Sequence, residues 1–230
     1  MNVQDIRDYF RSELEQQRFT IDKTGAKTIE IIGASFKADA NSIFGTPSPS
    51  YIAKEMLWYD SGSTNINDIS DNSPPPAAWM YAADAHGNIN SNYGHLIFSE
   101  KYGNQFERAV DELISNKDSR RATMVYTRPS IWVEYNEGGK SDFICTNAVN
   151  YYIRDGKLHS VVQMRSNDAV FGYKNDYAWQ LEVMNRIIQY YNEIQYIDDV
   201  PSAAITLGDI NWQVANLHVY ERHFDLIAKL

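Results

Sequence analysis

Asp155-Gly156 is the feature that most restricts the choice of fold. An Asp-Gly pair adopts positive φ at little cost and suits a two-residue hairpin turn. Here it separates two β-prone runs, 143–153 and 159–165. The surrounding middle of the chain continues in the same character, and 122–127 and 131–135 read as further strands. So do 205–214 and 217–220 toward the C-terminus, and TIEIIGASF at 28–36 toward the N-terminus. Helical spacing marks the rest. Val3, Ile6, Phe10 and Leu14 predict an amphipathic helix over 2–17, and Phe106, Val110, Leu113 and Ile114 one over 105–115. Tyr177, Leu181, Met184, Ile188 and Tyr191 mark the longest helix. Ser50 is placed to cap another over 51–59, and a short helix is expected to finish the chain. Strands that cluster without regular βα alternation predict an α+β fold with a mixed or antiparallel sheet. The one loop-like stretch, 61–76, is too short for a domain linker, so residues 1–230 are expected to form a single domain.

Charge and cysteine usage narrow the function. A formal net charge of −9 argues against nucleic-acid binding through a broad basic surface. No run approaches the roughly 20 apolar residues of a membrane helix, and the charged start of the chain lacks the apolar core of a signal peptide. With one cysteine there is no internal disulfide, and a cytoplasmic setting is expected. Any anionic ligand then needs a local cluster of cations.

Ser119-Arg120-Arg121 and Arg165-Ser166 offer such clusters, because a guanidinium donates two parallel hydrogen bonds to a phosphate. An isolated Arg-Arg pair is equally a solvated turn. Cys145, between Ile144 and Thr146, reads as inert core unless a cation such as Arg165 favours its thiolate. Glu55 lies in a predicted helix; on the apolar face it would carry a raised pKa and suit proton relay, but periodicity leaves its face open. His218 and His223 have no zinc-like set around them, and no metal is expected.

Taken together, DKTG at 22–25, EMLWY at 55–59, Trp79, NYG at 92–94, DSRR at 118–121, Cys145, QMRSND at 163–168 and HVY at 218–220 form an ordered set. The set resembles the thymidylate synthase superfamily, most closely its deoxycytidylate hydroxymethylase branch known from bacterial viruses. The resemblance implies a large twisted mixed sheet with surrounding helices, packed back to back in a homodimer. It implies that Arg120 and Arg121 act in trans on the partner's phosphate, while Lys23, Arg165 and Ser166 complete that site in cis. Cys145 would add to C6 of the pyrimidine, making C5 enamine-like. Glu55 would organise water and relay protons. His218 and Tyr220 would hold the sugar 3′-hydroxyl, and Trp79, Tyr93 and Asp168 would line the site of 5,10-methylenetetrahydrofolate, the family's one-carbon donor. Asp168 would also contact the nucleotide.

Two positions choose the branch. Asp176 stands where synthases carry an Asn that reads uracil; a carboxylate repels the carbonyl at position 4 but accepts from the 4-amino group of cytosine. Ile144-Cys145-Thr146 replaces the synthases' usual Pro-Cys-His. The expectation is therefore dCMP, hydroxymethylated by water rather than methylated by hydride. The alternatives are the same chemistry on dUMP, thymidylate synthesis, or a non-catalytic nucleotide-binding protein. The chain reaches Leu230 soon after His223, so the expectation is either looser closure over the folate than the family's C-terminal segment gives or cover from another segment.

Overall fold

The computed structural model describes residues 1–21, 25–69, 73–197 and 204–229. Helix α1 (Val3–Glu15) opens with an Asn2–Asp5 capping box and buries Val3, Ile6 and Phe10. Burial of each large apolar side chain of this kind contributes about 1.5–3 kcal/mol. Strands β1 (Thr20–Ile21) and β2 (Lys27–Lys37) follow, then α2 (Pro49–Ser61). The cap of α2 is Ser48 rather than Ser50, because Pro49 fits the first helical position, where a missing N–H costs nothing.

Two short helices escape sequence periodicity: α3 (Ala77–Ala82) and α4 (Tyr93–Phe98), the latter capped by Asn92. Helix α5 (Gln105–Ser115) matches the expected range. Next come β3 (Thr123–Val125) and α6 (Ile131–Glu134), where the sequence reading placed a strand. Ser130 and Ile131 carbonyls instead accept from Glu134 and Tyr135 in a helical turn. Only Ile131 is buried, while Trp132 and Val133 lie open, so the β-branched residues never find a second sheet face.

The hairpin forms as expected from β4 (Thr146–Arg154) and β5 (Lys157–Met164), with Asp155 and Gly156 both at positive φ. Strand β6 (Asn167–Asp168) leads into α7 (Gly172–Ile197), and β7 (Thr206–Tyr220) joins two expected strands into one. Helix α8 (Phe224–Ala228) closes the described chain.

All seven strands form one sheet, in the order β1-β2-β7-β5-β4-β3 with β6 on β7. Only the β5–β7 and β6–β7 pairs are parallel, so the sheet is mixed and the fold α+β, as expected. Burial changes parity midway along both β2 (Ile29, then Ala34 and Phe36) and β7 (Ile210, Trp212 and Val214, then Leu217 and Val219). The change falls at Gly33, whose φ of 72° is open to glycine without strain. Helix α7 packs on β5, β6 and β7, while α2 packs on α4 and α7. This arrangement brings α2, α4, α7 and the start of β4 together at one end of the sheet.

Candidate active site

Cys145 immediately precedes β4 rather than lying mid-strand, because the Arg165 side chain takes the carbonyls that a strand partner would use. Arg165 Nε donates to Ile144 O at 3.0 Å, and Nη2 donates to Phe143 O and, at 3.5 Å, to Cys145 Sγ. The backbone completes the clamp, with Arg165 N on Cys145 O at 2.9 Å. Asp142 anchors the preceding segment by accepting from Asn90 N, Ser91 N and Ser91 Oγ at 2.6–2.8 Å. Burial pushes the Cys145 thiol up to about 11; Arg165 opposes this, and the carboxyls of Asp176 and Asp142 add to it. The sulfur is thus a protonated, half-buried thiol with one cation in contact.

Glu55 sits on the apolar face of α2 and is only 3% exposed. Tyr51 Oη, one helical turn earlier, donates to its Oε1 at 2.8 Å. Trp79 Nε1 donates to Tyr51 Oη at 3.0 Å and to Glu55 Oε1 at 3.3 Å. Burial raises the Glu55 carboxyl to about 7, and the bonds from Tyr51 and Trp79 pull it partly back.

Asp176, on the second turn of α7, accepts from Asn167 Nδ2 at 2.7 Å, and the nearby Tyr93 hydroxyl favours its ionised form. Tyr93 accepts from Thr146 Oγ1 at 3.0 Å, which ties α4 to β4 beside Cys145. Burial and, after it, the Glu55 charge together lift Asp176 to about 8 against the opposing pull of Asn167 and Tyr93. Two uphill carboxyls and a thiol in one electrostatic neighbourhood are the mark of a site built for proton transfer.

A second group adjoins the first through β6. Asp168 lies opposite His218 in the β6–β7 register, and its Oδ1 accepts from Val170 N and Phe171 N. His218 contacts the Tyr220 ring at 4.9 Å between centroids, and burial lowers its pKa while Asp168 resists. Phe171 is 52% exposed, with His223 against one part of its ring and Lys174 Nζ 4.7 Å from its centroid. Ser166 lies half-buried between β5 and β6.

Arg120 and Arg121 do not join these groups. Both are exposed, and Arg121 pairs with Glu112 at 3.0 Å. Ala122 lies level with Tyr151, whose N–H it accepts, so roughly 20 Å of strand separates the arginines from Cys145 in the same chain. Lys23 falls outside the described residues. Among the described residues, no group of three or more His, Cys, Asp or Glu side chains could hold a metal ion. Nor is any described helix long and apolar enough to cross a membrane.

Sequence reasoning missed Tyr51, Asn167 and Asp142. Tyr51 stands four residues before Glu55 and Asn167 lies inside a quoted motif, so both were within reach. Asp142 binds a segment some fifty residues away, and nothing local announces it.

The thymidylate synthase family model matches residues 5–230. Deoxycytidylate 5-hydroxymethyltransferases of Enterobacteria phages T6 and T4 are each 47% identical over 227 residues, covering 99% of this chain and 89% of theirs. The thymidylate synthase of Corynebacterium aurimucosum is 24% identical over 96% of this chain and 80% of its own.

Proposed function

Because the chain belongs to the thymidylate synthase family, we propose that it acts as a dCMP 5-hydroxymethyltransferase. It converts dCMP, 5,10-methylenetetrahydrofolate and water to 5-hydroxymethyl-dCMP and tetrahydrofolate. The observation that carries this reading is Asp176: a buried carboxyl, oriented by Asn167, in the electrostatic reach of Cys145 and Glu55. A carboxyl with a pKa of about 8 holds a proton at neutral pH. Opposite cytosine it shares that proton with N3 and accepts from the 4-amino group. Protonated N3 makes C6 a better electrophile. Uracil has no basic nitrogen to take the proton.

Cys145 then does its work in the complex rather than in the free protein. Its proton leaves, its sulfur adds to C6, and electron density rises at C5. The folate supplies a one-carbon unit at the formaldehyde oxidation level. Glu55 is the base nearest the reaction and takes up the proton from C5 after the new carbon bond forms. Loss of that proton expels tetrahydrofolate, whose nitrogen carries the proton away from Glu55, and leaves a methylene on C5. Water adds to this methylene and gives a proton to the re-ionised Glu55, and departure of Cys145 as thiolate restores the C5–C6 double bond. Arg165 stays beside the sulfur as the charge on it appears and disappears.

The residues around Asp168 fit the folate. The exposed Phe171 ring with Lys174 beside it offers an apolar face and a cation to a flat aromatic anion. Trp79 spends its N–H on Tyr51 and Glu55, leaving its ring to line the same approach. His218, Tyr220 and Ser166 are the proposed sugar and phosphate contacts, with Lys23.

The active form is a homodimer. On β7, Asn211, Gln213 and Ala215 are exposed on the sheet face away from α7, and Gln163 reaches Gln213 on the same face. A second copy packed there would bring the partner's arginines to a site their own chain keeps at a distance.

Mass spectrometry of the product tests the reading. From dCMP and methylenetetrahydrofolate, a nucleotide heavier by CH2O without dihydrofolate is expected; methylated product with dihydrofolate, or no product, overturns it. Asp176→Asn should lower dCMP turnover by about 100-fold and shift preference toward dUMP; unchanged selectivity removes the argument for cytosine.

A further inference from the structure

Glu55 has two carboxyl oxygens with different surroundings. Oε1 receives both Tyr51 Oη and Trp79 Nε1, whereas among the described residues nothing donates a hydrogen bond to Oε2. Tyr51 is itself held, because the Trp79 indole N–H donates to its oxygen and leaves its own proton no choice but Oε1. Trp79 is fixed in turn by an edge contact with Trp58, 5.3 Å between centroids, and Trp58 is fully buried. A buried carboxyl gripped on one oxygen by an ordered chain of donors has a single orientation to offer a substrate.

We propose that Tyr51 is the positioning residue of this reaction: its hydroxyl, locked by Trp79, holds Glu55 Oε1 so that Oε2 alone faces the reacting carbon and its water. This assignment rests on the reading of Glu55 as the working carboxylate. It gives a physical reason for a tyrosine one helical turn before Glu55. The bond from Tyr51 favours the ionised carboxylate. It therefore keeps Glu55 a usable base while Tyr59, from the same helix, and Asp176, from α7, surround it with groups that gain nothing from its charge. Tyr51 itself stays protonated throughout, since burial and Glu55 raise its pKa.

Tyr51→Phe keeps the ring and removes the hydroxyl. In protein labelled with 13C at glutamate carboxyls, Glu55 titrates near 7, apart from solvated glutamates; the variant should move that titration upward. The kcat for hydroxymethylation should fall about tenfold to a hundredfold, with KM for dCMP nearly unchanged, and the acid limb of the kcat–pH profile should move upward with the titration. Trp79→Phe, which frees the Tyr51 hydroxyl without removing it, should produce a smaller shift in the same direction. An unmoved Glu55 titration in Tyr51→Phe overturns the assignment, whatever happens to kcat. A raised KM with unchanged kcat does so too. Failure of the wild-type protein to act on dCMP would instead sink the functional reading, while the carboxyl titration still judges the clamp.

Discussion

At the scale of single residues, the thiol is the group whose state departs furthest from what the reaction needs. A Cys145 pKa near 11 leaves little thiolate at neutral pH, because a raised pKa means the proton is lost only at higher pH. As the chain has one cysteine, alkylation reports it without interference. The rate of iodoacetamide labelling in the free protein should keep rising past pH 10. Arg165→Gln keeps a donor for the Phe143 and Ile144 carbonyls but removes the charge, so its labelling curve should move to still higher pH. A curve centred near the ordinary thiol value would contradict the environment described for Cys145. Nucleotide binding, which sets an acceptor carbon against the sulfur beside Arg165, is then what releases the nucleophile.

At the scale of elements, the site depends on how closely α4 lies against α2. A Cβ placed on Gly94 would sit 1.9 Å from Tyr59 O, and backbone cannot yield as a flexible side chain can. Gly94→Ala should therefore cost about 1–3 kcal/mol, read as a lower melting temperature. It should also reduce hydroxymethylation, because Tyr93 moves with α4, binds Thr146 next to Cys145 and acts electrostatically on Asp176. Wild-type stability in that variant would mean that the two helices can part freely. The same region shows what the sequence could and could not convey. The long periodic helices and the Asp-Gly hairpin were legible because a repeat or a turn pair carries its own geometry. The six-residue helices α3 and α4 are shorter than two turns, so no apolar repeat can announce them. Residues 131–135 misled because β-branched content was read without asking for a second buried face. At the site, Cys145, Glu55 and Asp176 stand in legible motifs, but the burial that sets their pKa values comes from helices distant in sequence.

At the scale of the whole molecule, the arginine pair and Cys145 lie at different ends of β4, and the proposed homodimer would bring the partner's arginines to the site. Mixing two inactive proteins tests this. Cys145→Ser and Arg121→Ala, unfolded and refolded together, should recover about a quarter of wild-type activity, because half of the dimers carry one intact site. No recovery, with dimers formed, would place Arg121 in cis or outside the site.

The solitary thiol also decides how the molecule fares under oxidation. A sulfenic acid formed at Cys145 has no neighbouring cysteine to resolve it, so a protective disulfide within the chain is ruled out. Its high pKa makes the resting protein a slow target. Exposure to peroxide should therefore be most damaging during turnover, when the sulfur is ionised, and repair must come from an outside reductant.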